Sequence, residues 1–241
     1  MEKIITKRIV INTLGKNLEH NLKEYGFKFV KSKDSLIRKT KDGFDKILMH
    51  TYDTYPYSHQ DLFLQFSSRI NDVENIMNKF YDDRFMNVEY HKTTTTNSID
   101  YNKLKGSSEI NFKGYNPKCD ICVQSRKLEP EEEEKKFAIH TEQDIEIITP
   151  LIVDFIKDKV FDFFNFNHDL KKLNDFYKNS LQVQTGGFIE IMRSLILMKL
   201  TSDSDLKNKT TEFLDFHSNR TYTKKDESDA LNELIAYLDS I

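Results

Sequence analysis

The spacing of apolar residues changes partway along this chain of 241 residues. In the first part, Leu62, Leu64 and Phe66 recur at every second position, which is the period of a strand with one buried face. From Thr141 onward, apolar residues recur at steps of three and four, which is the period of an amphipathic helix. The change predicts an α+β fold, with an N-terminal antiparallel sheet flanked by helices and a C-terminal helical bundle.

The first part is predicted to begin with a helix and an antiparallel meander. Apolar residues at helical spacing run from Ile11 to Tyr25, and Gly26 follows where a left-handed cap ends a helix. Asp42-Gly43 predicts a type I′ hairpin turn, which needs positive φ at both central residues. The four predicted strands are Phe27–Lys31, Leu36–Thr40, Phe44–Tyr52 and Leu62–Arg69.

A second helix is predicted over Val73–Tyr81, with Asn71 or Asp72 as its cap. Residues 85–128 are predicted to add short strands separated by long loops, with strands over Thr93–Thr96 and Glu109–Phe112.

The second part is predicted to be helical. Thr141 and Asp144 have the spacing of a capping box, and Pro150 predicts a kink or a new helix start. Further helices are predicted over Asp169–Lys178, Phe188–Leu200, Asp205–Phe216 and Lys225–Leu238.

The sign of the net charge also differs between the first and second parts of the chain. Residues 1–128 carry 22 basic and 16 acidic side chains, and residues 129–241 carry 14 and 23. The change falls at the acidic run Glu129–Glu134, which is typical of a solvated linker or helix start. We therefore predict an α+β domain over residues 1–128 and a helical domain over residues 129–241.

The chain is predicted to be cytoplasmic. No apolar run of signal-peptide length follows Met1, and no stretch approaches the roughly 20 apolar residues that span a bilayer. Two cysteines are too few for a disulfide scaffold, which favours a reducing compartment. A membrane partner is not expected.

Cys119 and Cys122 form a CxxC pair. Such a pair supplies two zinc thiolates or a redox couple, but a closed zinc site needs two more ligands, and no second CxxC is present. The favoured interpretation is a pair of ordinary loop cysteines, with a zinc site as the alternative.

The segment from His50 to Asp61 is the strongest candidate for a binding site. It is predicted to connect two strands, and its candidate binding residues are Tyr52, Asp53, Tyr55, Tyr57, His59 and Asp61. Tyrosine combines rigid contact area with a polar tip, which suits a recognition surface. Two alternatives stay open: the rings pack on the sheet, or His50, Asp53, His59 and Asp61 form an acid–base or ligand site.

Motifs for the common enzyme classes are absent from the sequence, with no phosphate loop, dinucleotide fingerprint, zinc-protease motif or nucleophile elbow. No cofactor is expected. Basic residues on the early strands suit edge protection better than nucleic-acid binding, because the first part has a net charge of only +6.

Two stretches resemble small uncharacterised bacterial proteins of the domain-of-unknown-function kind. The first contains Leu18–Tyr25, Gly26-Phe27-Lys28-Phe29, Leu36–Thr40 and Asp42-Gly43, and the second contains Thr141–Pro150, Phe163–Phe166 and Asp169-Leu170. The resemblance implies an immunity-type partner of a polymorphic bacterial toxin. It carries no catalytic residues.

These observations favour a non-enzymatic module that binds another protein. A small-molecule-binding protein or enzyme that uses the His50–Asp61 loop is the alternative. Homodimer formation stays open.

Overall fold

The computed structural model describes residues 5–54, 59–81, 95–98, 101–102, 110, 112, 122–124, 135–179, 187–218 and 225–241. The strands are β1 (Lys28–Val30), β2 (Ser35–Lys39), β3 (Gly43–Thr54), β4 (His59–Ile70), β5 (Thr96–Asn97), β6 (Cys122–Gln124) and β7 (Lys135–Ile139). The α-helices are α1 (Lys7–Asn21), α2 (Asn71–Phe80), α3 (Glu142–Phe155), α4 (Phe161–His168), α5 (Leu170–Lys178), α6 (Phe188–Leu200), α7 (Leu206–Ser218) and α8 (Lys225–Ser240).

The predicted α+β class is confirmed. Four N-terminal strands form an antiparallel sheet with helices, and a set of helices packs together toward the C-terminus. The strand order is β1-β2-β3-β4-β7-β6, and β5 also pairs with β4. The predicted four-strand meander is therefore present, and β7 lies between β4 and β6.

Helix α1 packs closely against the sheet because Gly15 has no side chain. A Cβ at Gly15 would lie 2.5 Å from the Phe29 ring. The helix ends at Asn21, and a 3₁₀ turn leads to Gly26, whose φ of 81° confirms the predicted left-handed cap.

Two local predictions are wrong in detail, and a third is wrong in one of its two alternatives. Asp42 ends the β2–β3 connection and Gly43 begins β3, but neither has positive φ, so the turn is not type I′. Helix α2 begins at Asn71, and its cap residue Ile70 has no side-chain hydrogen bond to offer. At Pro150 the new helix start is wrong, because α3 runs through this residue and continues into a π-helical turn at Ile156–Val160, while the kink stays a prediction.

Other local predictions are confirmed. Thr141 and Asp144 form the capping box at the start of α3, with the Asp144 amide donating to Thr141 Oγ1 over 3.3 Å. The four later helices lie within two residues of their predicted bounds.

Residues 85–128 match the prediction only in part. Thr96–Asn97 and Cys122–Gln124 are short strands, whereas Ile110 and Phe112 lie in turns rather than in a strand. Strand β7, which pairs with β4 through Gln60 and Ile139, was not predicted.

The chain divides into two compact units. The first contains Met1–Ser67 and Asn97–Phe164, and the second contains Ser68–Thr96 and Asn165–Ile241. Each unit takes residues from both sides of residue 128. That predicted boundary itself lies outside the described residues and stays a prediction.

The core of the second unit is built around α6. Every residue from Ile191 to Met198 is buried, and α6 contacts α2, α5, α7 and α8. Arg193 of α6 is buried with Glu74 of α2, and its Nε lies 3.2 Å from the Glu74 carboxylate.

Across the described residues, every helix is too short or too polar to cross a membrane.

Candidate functional site

The predicted connection between His50 and Asp61 is mostly strand. Strand β3 extends to Thr54 and β4 begins at His59, so Tyr52, Asp53, His59 and Asp61 lie on strands rather than in a loop. Residues from Asp45 to His50 alternate between buried and half-buried in the structure, but their sequence has no clear alternation of polar and apolar residues that could have revealed the strand.

Two side-chain contacts fix how β3 and β4 face each other. The His50 and Phe63 rings have centroids 6.5 Å apart, and Gln60 Nε2 donates to the Asp53 carboxylate. A regular antiparallel pairing that satisfies both contacts puts Tyr52 opposite Asp61.

Strand alternation divides the candidate residues between the two faces of the sheet. His50 and Tyr52 share one face of β3, His59 and Asp61 share one face of β4, and the contacts above join these faces. We call His50, Tyr52, His59 and Asp61 the hairpin surface. Asp53 lies on the opposite face with Gln60, so the structure does not bring it to the other candidates.

His59 and Asp61 form the polar base of the hairpin surface. His59 Nε2 lies 3.1 Å from Asp61 Oδ1, and their side chains are only 8% and 13% exposed. The His59 ring also lies beside the ring of His140, with 5.0 Å between centroids. The chemistry of this arrangement is that of a carboxylate orienting an imidazole.

Tyr52 is the exposed part of the hairpin surface. Its side chain is 61% exposed, the largest value for any large hydrophobic residue in the described part of the chain. The ring therefore offers contact area that no described neighbour covers.

His50 is half-buried and has a lowered pKa. Burial is the main cause, and the positive charge of Lys7 adds to it, while Asp34 acts in the opposite direction. His50 is therefore mostly neutral at pH 7, which does not suit a charged ligand contact.

The remaining candidates have no described side chains. Tyr55, Tyr57 and Cys119 lie outside the described residues, and Cys122 is described only as part of the backbone of β6. Among the described residues, no three His, Cys, Asp or Glu side chains are grouped as metal ligands.

A groove in the first unit was not predicted from sequence as a site. It has a volume of about 630 Å³, and we call it the basic groove. Its lining residues are Lys7, Arg8, Ile11, Asn12, Lys31, Ser32 and Asp34. None of the hairpin-surface residues lines it. The only sequence signal was the run of basic residues that includes Lys31.

No protein-family model, no curated protein and no solved structure matches the chain.

Proposed function

We propose that this chain is a non-enzymatic module that binds another protein through the hairpin surface. The observation that carries the proposal is the exposure of Tyr52, whose ring is 61% exposed on a strand rather than packed on the sheet. Tyrosine is enriched at protein interfaces because its ring adds apolar contact and its hydroxyl bonds to a polar partner.

The base beneath Tyr52 supports the same function. Tyr52 lies on β3, which pairs with β4, and β4 pairs in turn with β7, where Asp61 lies opposite Ala138. A side chain on a rigid strand loses little conformational freedom on binding, so more of its contact energy appears as affinity.

A finer form of the proposal is an immunity-type protein that neutralises a bacterial toxin. It rests on the resemblance described above, which includes the Thr141–Pro150 stretch. The test is co-expression with any toxin-like reading frame adjacent to the gene of this chain. Restored growth that depends on Tyr52 supports the role, and growth arrest unaffected by the chain contradicts it.

The general proposal is tested by affinity capture from the native host with three baits. These are the wild-type chain, Tyr52→Ala and Ile241→Ala, the last being a control because Ile241 is similarly exposed at 58%. A partner recovered by the wild type and the Ile241 variant but not by the Tyr52 variant is expected. The proposal is contradicted if none of the recovered proteins binds the purified chain with a Kd below about 1 μM.

Acid–base chemistry at His59 and Asp61 is the second candidate, and the 3.1 Å distance between their polar atoms favours it. It requires a substrate to reach an imidazole that is only 8% exposed. Asp61→Asn distinguishes the two functions. An enzyme loses turnover of its substrate when this carboxylate is neutralised, whereas a binding module shows no turnover in the wild-type chain either.

A further inference from the structure

The basic groove lies between two elements that are distant in sequence. Lys7 and Arg8 come from the first turn of α1, and Lys31 and Ser32 come from the 3₁₀ turn between β1 and β2. The lining surface is mostly apolar, and because Ile11 is only 2% exposed, most of it comes from the alkyl parts of the other lining side chains. The fold therefore brings three cations to one concave surface.

These cations are poorly compensated. Lys7 has one carboxylate partner, Asp34, at 4.0 Å, and both side chains are 41% exposed or more. Within the part of the chain that the structure describes, Arg8 and Lys31 make no ion pair. The groove thus carries about two unneutralised positive charges.

The local field has the same sign. The first turn of α1 contains no acidic residue, so nothing there offsets the positive end of the helix dipole.

We infer that the basic groove binds a small organic molecule through a phosphate group. A phosphate monoester carries close to two negative charges at neutral pH, which matches the charge left on Arg8 and Lys31. A guanidinium can hold two phosphate oxygens in a fork, and an ammonium adds a point charge. Asn12 and Ser32 supply neutral donors at the same lining.

The groove volume favours an organic phosphate over the free phosphate ion as the ligand. The groove is open to solvent, and a phosphate group alone leaves most of its volume of about 630 Å³ empty. Asp34 suits the remaining part, because its carboxylate can accept a hydrogen bond from a ligand hydroxyl or amino group.

This inference uses residues outside the hairpin surface and stands apart from the protein-binding proposal. It is tested by calorimetric titration of the full chain with a panel of organic phosphates. The panel contains adenosine monophosphate, glucose phosphate and glycerol phosphate, and inorganic phosphate, adenosine and a short single-stranded RNA serve as comparisons. The variants are Arg8→Gln and Lys31→Gln, with Lys16→Gln as control because Lys16 is exposed on α1 outside the groove.

We expect at least one panel member to bind more tightly than inorganic phosphate or adenosine. Each groove variant should weaken that binding about tenfold or more, while Lys16→Gln and all melting temperatures stay close to wild type. The inference is overturned if no panel member binds with a Kd below about 1 mM, or if Lys16→Gln weakens binding as much as the groove variants do. Equal affinity for inorganic phosphate, or tighter binding of RNA through Arg8 and Lys31, also overturns it.

Discussion

The Arg38 guanidinium lies 2.7 Å from the Asp45 carboxylate, and the two residues are direct cross-strand partners on β2 and β3. Asp45 is completely buried, and Arg38 is 20% exposed. The guanidinium also lies over the rings of Phe27, Phe161 and Phe164, at 5.0 to 5.5 Å from their centroids. One cation therefore joins the sheet of the first unit to the start of α4.

Removal of the Asp45 carboxylate should destabilise the protein strongly. Asp45→Ala leaves the Arg38 charge among aromatic rings without its partner, and we expect a loss of about 3 kcal/mol in the free energy of unfolding. Asp42→Ala, at an exposed position in the β2–β3 turn, should change the free energy of unfolding by less than about 0.5 kcal/mol. Guanidinium denaturation measures both, and equal small losses would show that the pair does not contribute.

The close approach of α1 to the sheet makes Gly15 sensitive to substitution. Gly15→Ala adds a Cβ 2.5 Å from the Phe29 ring, so the ring or the helix must move. We expect a loss of about 1 to 3 kcal/mol despite the higher helix propensity of alanine. The double variant with Phe29→Leu should recover part of it. Stabilisation by Gly15→Ala alone would contradict the packing described here.

The buried ion pair of the second unit should behave differently when one partner or both are replaced. Burial is the largest single effect and would lower the pKa of Arg193, but Glu74, Tyr177 and Glu190 together outweigh it and raise the pKa, so the guanidinium stays charged. Glu74→Gln should therefore cost about 3 to 5 kcal/mol. The double variant Glu74→Leu with Arg193→Met should cost less, because no charge is left buried. A double variant with a lower free energy of unfolding than Glu74→Gln, measured by denaturation, would contradict this.

Asp203 should make stability depend on pH. Its carboxylate accepts hydrogen bonds from the Asp205 amide at 2.9 Å and from the Lys178 ammonium at 2.9 Å, which lower its pKa. Because the pKa is lower in the folded than in the unfolded chain, the stabilisation is complete above about pH 4 and is lost as the pH falls through the folded value.

Asp203→Asn should therefore destabilise the protein more at pH 7 than at about pH 3. Asp239→Asn, at an exposed position near the end of α8, is the matched control and should have little effect at either pH. Urea denaturation at both pH values measures the difference in unfolding free energy between each variant and the wild type. If this difference for Asp203→Asn stays constant with pH, the carboxylate is not the source of the stabilisation.

Local signals carried most of the fold prediction. The Gly26 cap and the Thr141–Asp144 capping box each depend on residues close together in sequence, and both are present in the structure. Strand β7 could not be predicted in the same way. Its five residues have a weak pattern of their own, and they form a strand because β4 offers an edge at Gln60 and Leu62.

The candidate site shows the same limit. Tyr52 and Asp53 are adjacent in sequence, but strand alternation sends them to opposite faces, which is visible only once β3 is known to continue to Thr54. The basic groove depends on Lys7 and Lys31, which are far apart in sequence and meet only because the β1–β2 turn returns to the start of α1. Long-range proximity of this kind leaves no local pattern.

The most direct test of the proposed function is the affinity of the purified partner for wild-type chain and for Tyr52→Ala, measured by calorimetry with Ile241→Ala as control. We expect the Tyr52 variant to bind about tenfold more weakly or worse, with an unchanged melting temperature, because the ring is exposed and supports no core. An unchanged affinity for Tyr52→Ala would contradict the proposal that the hairpin surface binds the partner.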